Sequence, residues 1–364
     1  MLNKIRRHYF FIIFFFLVLI LRLFSLNSQW VETYYSQGIY PHLSMFWRVL
    51  LKWIPFSVGD LLYFFMGICL LIQAWKFILL LRNKRFKINI TWLKVTKVLG
   101  WLLLIYCIFL VFWGLNYYRQ GIAYQLKLDV KPYNIHELTS TAGLLQQRVN
   151  YYAARMDSLQ RNELKQNSRL FEKGVNAYQQ VTKKISFLEY ANPSIKASIY
   201  SSVGHYFGFT GYYNPFTGEA QLNTTVPVFL RPFIICHEIG HQLGYAKENE
   251  ASFVAYLSCK EDTDIYFRYS VYYELFRDAV FELLRSHNRE VALQLVKGLH
   301  QRVTRDNNEL KTYFHRKANF VEPWISGIYD KYLKLNNQPK GKATYNEVLA
   351  WLIAYVKKNG ESSI

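Results

Sequence analysis

Apolar positions are spread very unevenly along this chain. Three stretches in its first third, Tyr9–Leu26, Leu61–Leu81 and Val98–Tyr118, run apolar with scarcely a break. The second and third would each extend roughly 31 Å as helix, enough to cross the hydrocarbon of a bilayer. The first is shorter and holds Arg22 near one end, from where a long side chain can reach the interface. Trp53, Trp75, Trp92, Trp101, Trp113, Tyr117 and Tyr118 flank the stretches as an aromatic belt does. Lys4, Arg6 and Arg7 would also suit a signal peptide, but no small-residue cleavage site follows Leu26, so a retained span is expected.

Past Arg119 the pattern changes to three-and-four spacing. It predicts helices over His136–Gln160 and Phe171–Leu188, with Leu138, Leu145, Val149 and Tyr152 on one face of the first. It also predicts Phe233–Gly244, Glu248–Cys259, Asp264–Ser286, Arg289–His300, Pro323–Leu335 and Tyr345–Lys358. Between these sets, Ala191–Val228 is rich in Gly, Tyr, Asn and Pro. Asn214-Pro215 and Thr217-Gly218 are turn signals there, and Glu219–Val226 reads as a strand. The expected fold is therefore mainly α. Residues 1–118 form a membrane domain with three transmembrane helices (about 9–26, 61–81 and 98–118). Residues 119–364 form an α+β domain of mostly helices with a small sheet.

The formal net charge is +19, which on its own would suggest nucleic acid. Its distribution argues otherwise. Residues 1–118 carry 13 basic and 2 acidic side chains, and the rest of the chain carries 31 and 23. The second part is only moderately basic and has no nucleic-acid-binding signature, so no nucleic-acid partner is expected. In the first part the basic residues mark one side of the membrane. Lys4, Arg6 and Arg7 precede the first stretch, and Arg82, Lys84, Arg85, Lys87, Lys94 and Lys97 lie between the second and third without an acid. The positive-inside rule puts both in the cytoplasm and everything beyond Tyr118 outside. Arg22, Asp60 and Lys76 lie only near span ends, which offers a transporter no polar pathway.

The strongest chemical signal is His237-Glu238-Ile239-Gly240-His241. On a helix His237 and His241 are one turn apart and point the same way, so both imidazoles can hold one Zn2+ ion per chain. Glu238 beside them is placed to take a proton from water activated by the metal. Gly244 gives the helix a stop. A continuation HExxHxxGxxH would supply a third histidine, but Lys247 stands at that position and a protonated lysine cannot ligate. Glu248 and Glu250 are the next candidates. Glu248 shares its helix face with Ala251, Ser252, Ala255 and Cys259, all small, so that face can approach the metal helix closely. Glu250 shares its side with Phe253, Val254 and Leu257. Glu248 is thus the expected third ligand, with Glu250 the alternative and otherwise a partner for a ligand histidine. Cys236 and Cys259 are expected outside the cytoplasm, as a disulfide or as two buried thiols.

These residues resemble the gluzincin type of zinc peptidase, in which a glutamate on a following helix completes the site. The residue four places after that glutamate is often Asp or Asn in such enzymes; here it is Ser252. Over its full length the chain resembles uncharacterised bacterial three-span membrane proteins with an external HExxH domain. FWGLNYYRQG, GYYNPFTGEAQLN and PFIICHEIGHQLGYAKENEASFVAYLSC carry that resemblance. It implies a zincin-like domain outside the bacterial cytoplasmic (inner) membrane, a zinc metallopeptidase activity and a peptide or protein substrate of unstated identity. Under that resemblance Glu219, Ala220, Gln221, Leu222 and Asn223 would be the edge strand against which a substrate lies. Tyr212, Tyr213, Asn214 and His205 are candidate oxyanion donors, with none singled out. The competing expectation is a non-enzymatic envelope protein that binds or scaffolds and keeps a structural or vestigial zinc site.

Overall fold

The computed structural model describes residues 8–82, 91–204, 206, 208–317, 322–338 and 347–364. Lys4, Arg6, Arg7, Lys84, Arg85, Lys87, His205 and Tyr345 lie outside the described residues. The first apolar stretch forms α1 (Tyr9–Ser25), which bends by 97° into a second helical run, Ser28–Leu51. Asn27 causes the break: its side chain accepts from the backbone N–H groups of Gln29 and Trp30 and so restarts the helix. The new run winds as a π-helix over Val31–Ile39 and continues as α2 (Tyr40–Leu51).

Two single helices, α3 (Val58–Arg82) and α4 (Trp92–Phe112), are long and apolar enough to cross a membrane. The bent pair makes a third only if it is counted as one span. The chain is consistent with a membrane protein of two or three spans. The third span differs from its expected bounds of 98–118. Helix α4 begins earlier, at a Thr91 side-chain cap, and stops at Phe112. Gly114–Tyr118 is instead a 3-10 turn, and Trp113, Leu115 and Tyr117 are buried in protein. Their apolarity serves a core, not lipid.

Beyond α4 the chain builds a helical body around one large core. It comprises α5 (Ile135–Arg155), α6 (Asn167–Thr182), α7 (Arg231–Gln242), α8 (Glu248–Glu261), α9 (Ile265–Arg285), α10 (Arg289–Lys297), α11 (Gln301–Lys317), α12 (Glu322–Leu335) and α13 (Glu347–Asn359). A reciprocal capping box between Asn134 and Glu137 starts α5. Periodicity overran α5 and α6 at their C-terminal ends, and it passed over α2 and α11. Helix α11 buries little more than Val303, Asp306 and Leu310, too sparse a stripe to read.

A three-stranded sheet in the order β1-β3-β2 lies against α7. Strands β1 (Ile195–Ala197) and β3 (Glu219–Leu222) are parallel, and β2 (Gly211–Asn214) is antiparallel to β3. Glu219–Leu222 is therefore the central strand, not the expected edge, and all four of its residues are buried. Its side chains serve the membrane helix instead. The Glu219 carboxylate accepts from the backbone N–H groups of Val58 (3.0 Å) and Gly59 (2.6 Å), at the positive end of α3. Asp60, in the same turn, accepts from Ile199 N–H and from the Tyr212 hydroxyl.

The segment between α1 and α3 is also built into the body. Arg119 makes a buried, two-pronged ion pair with Glu32 (2.7 and 3.0 Å). Ser44 donates to the Gln242 carbonyl and Arg48 to that of Ala191. In space the body thus begins near Val31, well before residue 119.

Candidate metal centre

Helix α7 positions His237, Glu238 and His241, and three contacts fix it from outside. Gln242 donates to the Ser194 and Gly218 carbonyls and accepts from Tyr190, which ties the helix end to the sheet. Gly240 lets α8 come close: a Cβ there would stand 3.3 Å from the Cα of Ala251. The small face Ala251, Ser252, Ala255 and Cys259 thus does what its spacing suggested. Gly244 ends the helix with φ +88°, a left-handed turn in which a side chain would also meet the Tyr40 ring at 2.9 Å.

This turn brings Glu248, the first residue of α8, back onto the two histidines. Its Oε2 lies 3.1 Å from His237 Nε2 and 3.6 Å from His241 Nε2. One donor atom from each of the three side chains falls within 4.8 Å of the others, and all three residues are buried. The remaining ring nitrogens are occupied. Ser252 Oγ stands 3.2 Å from His237 Nδ1, and the Tyr245 carbonyl lies 2.7 Å from His241 Nδ1. These partners aim both Nε2 atoms at Glu248. The Tyr329 hydroxyl on α12 donates to Glu248 Oε1.

Glu250 is not among these groups. It points toward Lys247 (3.5 Å) and crowds Gly121, and it touches neither histidine. The roles expected of it fall to Glu248 as cluster member and to Ser252 as histidine partner. Ser252 is the residue at which the chain departs from the gluzincin pattern.

Glu238 faces the same cleft with different surroundings. Its Oε2 is buried and has no hydrogen-bond partner among the described residues. Burial pushes its carboxyl up to about 8, the Glu248 charge adding to the rise and His241 opposing it. The close approach of Gly211 on β2, where a Cβ would stand 2.8 Å from Glu238 Oε1, leaves room for that side chain.

The cleft has a volume of about 700 Å³. Trp113 and Tyr117, just past the end of α4, form part of its wall, and the Trp113 indole meets the His241 ring edge-on with centroids 5.8 Å apart. Strand β2, the true sheet edge on this side, contributes Gly211, Tyr212 and Tyr213. Helix α9 adds Glu274, Arg277 and Asp278, and α12 adds Ile325, Ser326, Tyr329 and Tyr332. Burial raises Asp278 to about 7, with Arg277 pulling against it. Of the oxyanion candidates, Tyr212 is engaged with Asp60 and Tyr213 with Tyr40 (3.0 Å). Asn214 is buried in the sheet, and His205 lies outside the described residues. The α9 and α12 residues carried no motif, since only tertiary packing brings them here. Cys236 and Cys259 are buried free thiols that lie against one another, the second of the two expected arrangements.

A family model described as "Protein of unknown function (DUF3810)" matches residues 35–353. No curated protein and no solved structure matches the chain.

Proposed function

The chain belongs to this family of unknown function, and we propose that it is a membrane-anchored zinc metallopeptidase whose site lies outside the cytoplasmic membrane. The observation that carries the reading is the buried, unpartnered Glu238 carboxyl beside a three-donor cluster. Two imidazole nitrogens and one carboxylate oxygen are a donor set that suits zinc. A structural site is usually closed by a fourth Cys or His, and among the described residues none joins these three. That favours an open site over the scaffold reading.

His237, His241 and Glu248 would hold the metal, and bound zinc would supply there a Lewis acid able to polarise a carbonyl and lower the pKa of water. Glu238, whose buried carboxyl has no hydrogen-bond partner among the described residues, takes a proton from the attacking water and hands it to the leaving amine. The edge of β2, with Gly211 next to Glu238, offers backbone donors and acceptors to an extended peptide. The test is hydrolysis of a mixed peptide library by purified full-length chain. Glu238→Gln should abolish cleavage while the metal content stays that of wild type. Unchanged cleavage by that variant would overturn the assignment.

A further inference from the structure

Helix α12 has two faces with opposite fates. Its inner face is used up by the cleft, through Ile325, Tyr329 and Tyr332. On the outer face Trp324, Ile328 and Leu335 are 77%, 67% and 81% exposed. At 100° per residue these three fall within a sector of roughly 40°. They are as uncovered as Leu71 in the middle of α3, at 72%. Among the described residues nothing packs on them.

The position of α12 says what covers them. Tyr332 packs against the Phe109 ring (centroids 6.3 Å), one turn before the end of α4, and shares a hydrogen bond with Tyr117 just beyond it. The Tyr332 end of the helix, with Ile328 and Leu335 about one turn to either side, therefore stands beside the point where a spanning segment leaves the hydrocarbon. Lys331 lies about 20° outside that sector, where its stem can lie in the interface and its ammonium can reach phosphates. Trp at such a level favours the headgroup region.

We propose that α12 is a membrane-surface helix, its Trp324–Ile328–Leu335 face seated in the headgroup region of a phospholipid bilayer. The proposal goes beyond the peptidase reading. If that reading holds as well, the cleft that α12 roofs opens against the bilayer and takes polypeptide lying close to the membrane surface. Docking would also reach the metal cluster, because the Tyr329 hydroxyl on the same helix holds Glu248.

The experiment places a nitroxide at Ile328→Cys in full-length chain whose Cys69 and Cys107 are replaced by Ala. The chain is reconstituted in vesicles of mixed phosphatidylcholine and phosphatidylglycerol. Collision rates with molecular oxygen and with a water-soluble nickel chelate are compared with those of a label at Lys131→Cys, a site exposed to water. A ratio of oxygen to nickel collisions several-fold higher at Ile328 is expected, and Leu335→Cys should repeat it. A ratio equal to that at Lys131 in both variants would overturn the proposal. So would spin–spin broadening at Ile328, which would mean that a second copy covers the face. Neither readout needs catalytic activity, so failure here leaves the peptidase reading to its own test.

Discussion

The hydroxyl of Tyr329 donates to Oε1 of Glu248 while the other oxygen of that carboxylate faces both histidines. A residue from the far end of the chain thereby orients the carboxylate that completes the His237–His241–Glu248 cluster. Ser252 and the Tyr245 carbonyl do the same for the two imidazoles.

Removing such partners should weaken metal binding without unfolding the chain. Tyr329→Phe and Ser252→Ala should each lower zinc affinity by roughly 10- to 100-fold, the usual cost of losing an orienting contact. Competition with a chromophoric chelator measures this. Unchanged affinity in both variants would show that the contacts do not tune the site.

Glu248 and Glu250 are told apart by paired substitutions. Glu248→Gln should abolish stable zinc binding, whereas Glu250→Gln should retain it, since only Glu248 meets the histidines. Metal analysis after dialysis gives the answer, and the reverse result would put the third ligand at Glu250.

Residues 119–364 alone should not fold. Cutting there removes Glu32 and with it the buried ion pair that ties Arg119 to the preceding segment (2.7 Å). Tyr40, Ser44 and Arg48 are lost from the body as well. A total stability of roughly 5–15 kcal/mol leaves little margin for that. Circular dichroism should show no cooperative thermal transition; a sharp one would contradict the assignment of residues 31–57 to the body.

Asp262 makes stability depend on pH. Burial raises its carboxyl from 3.8 to about 6, the backbone N–H of Asp264 pulling the other way. Because the folded value is the higher one, the protonated form is favoured by folding. Stability from this group is full below about pH 4 and falls as pH rises toward about 6, by on the order of 3 kcal/mol. Asp262→Asn, which keeps the acceptor for Asp264, should flatten that slope in denaturant unfolding at pH 4 and pH 7. An unchanged slope would assign the pH dependence elsewhere.

Local pattern reached some of this architecture and missed the rest for physical reasons. The HEIGH spacing placed two donors on one helix face, and the small residues of α8 predicted the close approach that delivers Glu248. Both facts are local, written at three-and-four spacing. The edge of the sheet was not legible, because Glu219–Leu222 and Gly211–Asn214 are short and strand order is a tertiary property. Trp113 and Tyr117 read as membrane residues because burial against the domain and burial in lipid select the same side chains. Tyr329 and Asp278 carry no motif, and only the packing of α9 and α12 over the cleft gives them a place.

His237, His241 and Glu248 are expected to hold one metal ion while Glu238 stands free for chemistry. The most direct measurement is the metal content of purified full-length chain by mass spectrometry, for wild type, His237→Ala and Glu238→Gln. About one zinc per chain is expected in wild type and in Glu238→Gln, and essentially none in His237→Ala. A folded wild type without metal, or a His237→Ala variant that keeps it, would contradict this metal assignment.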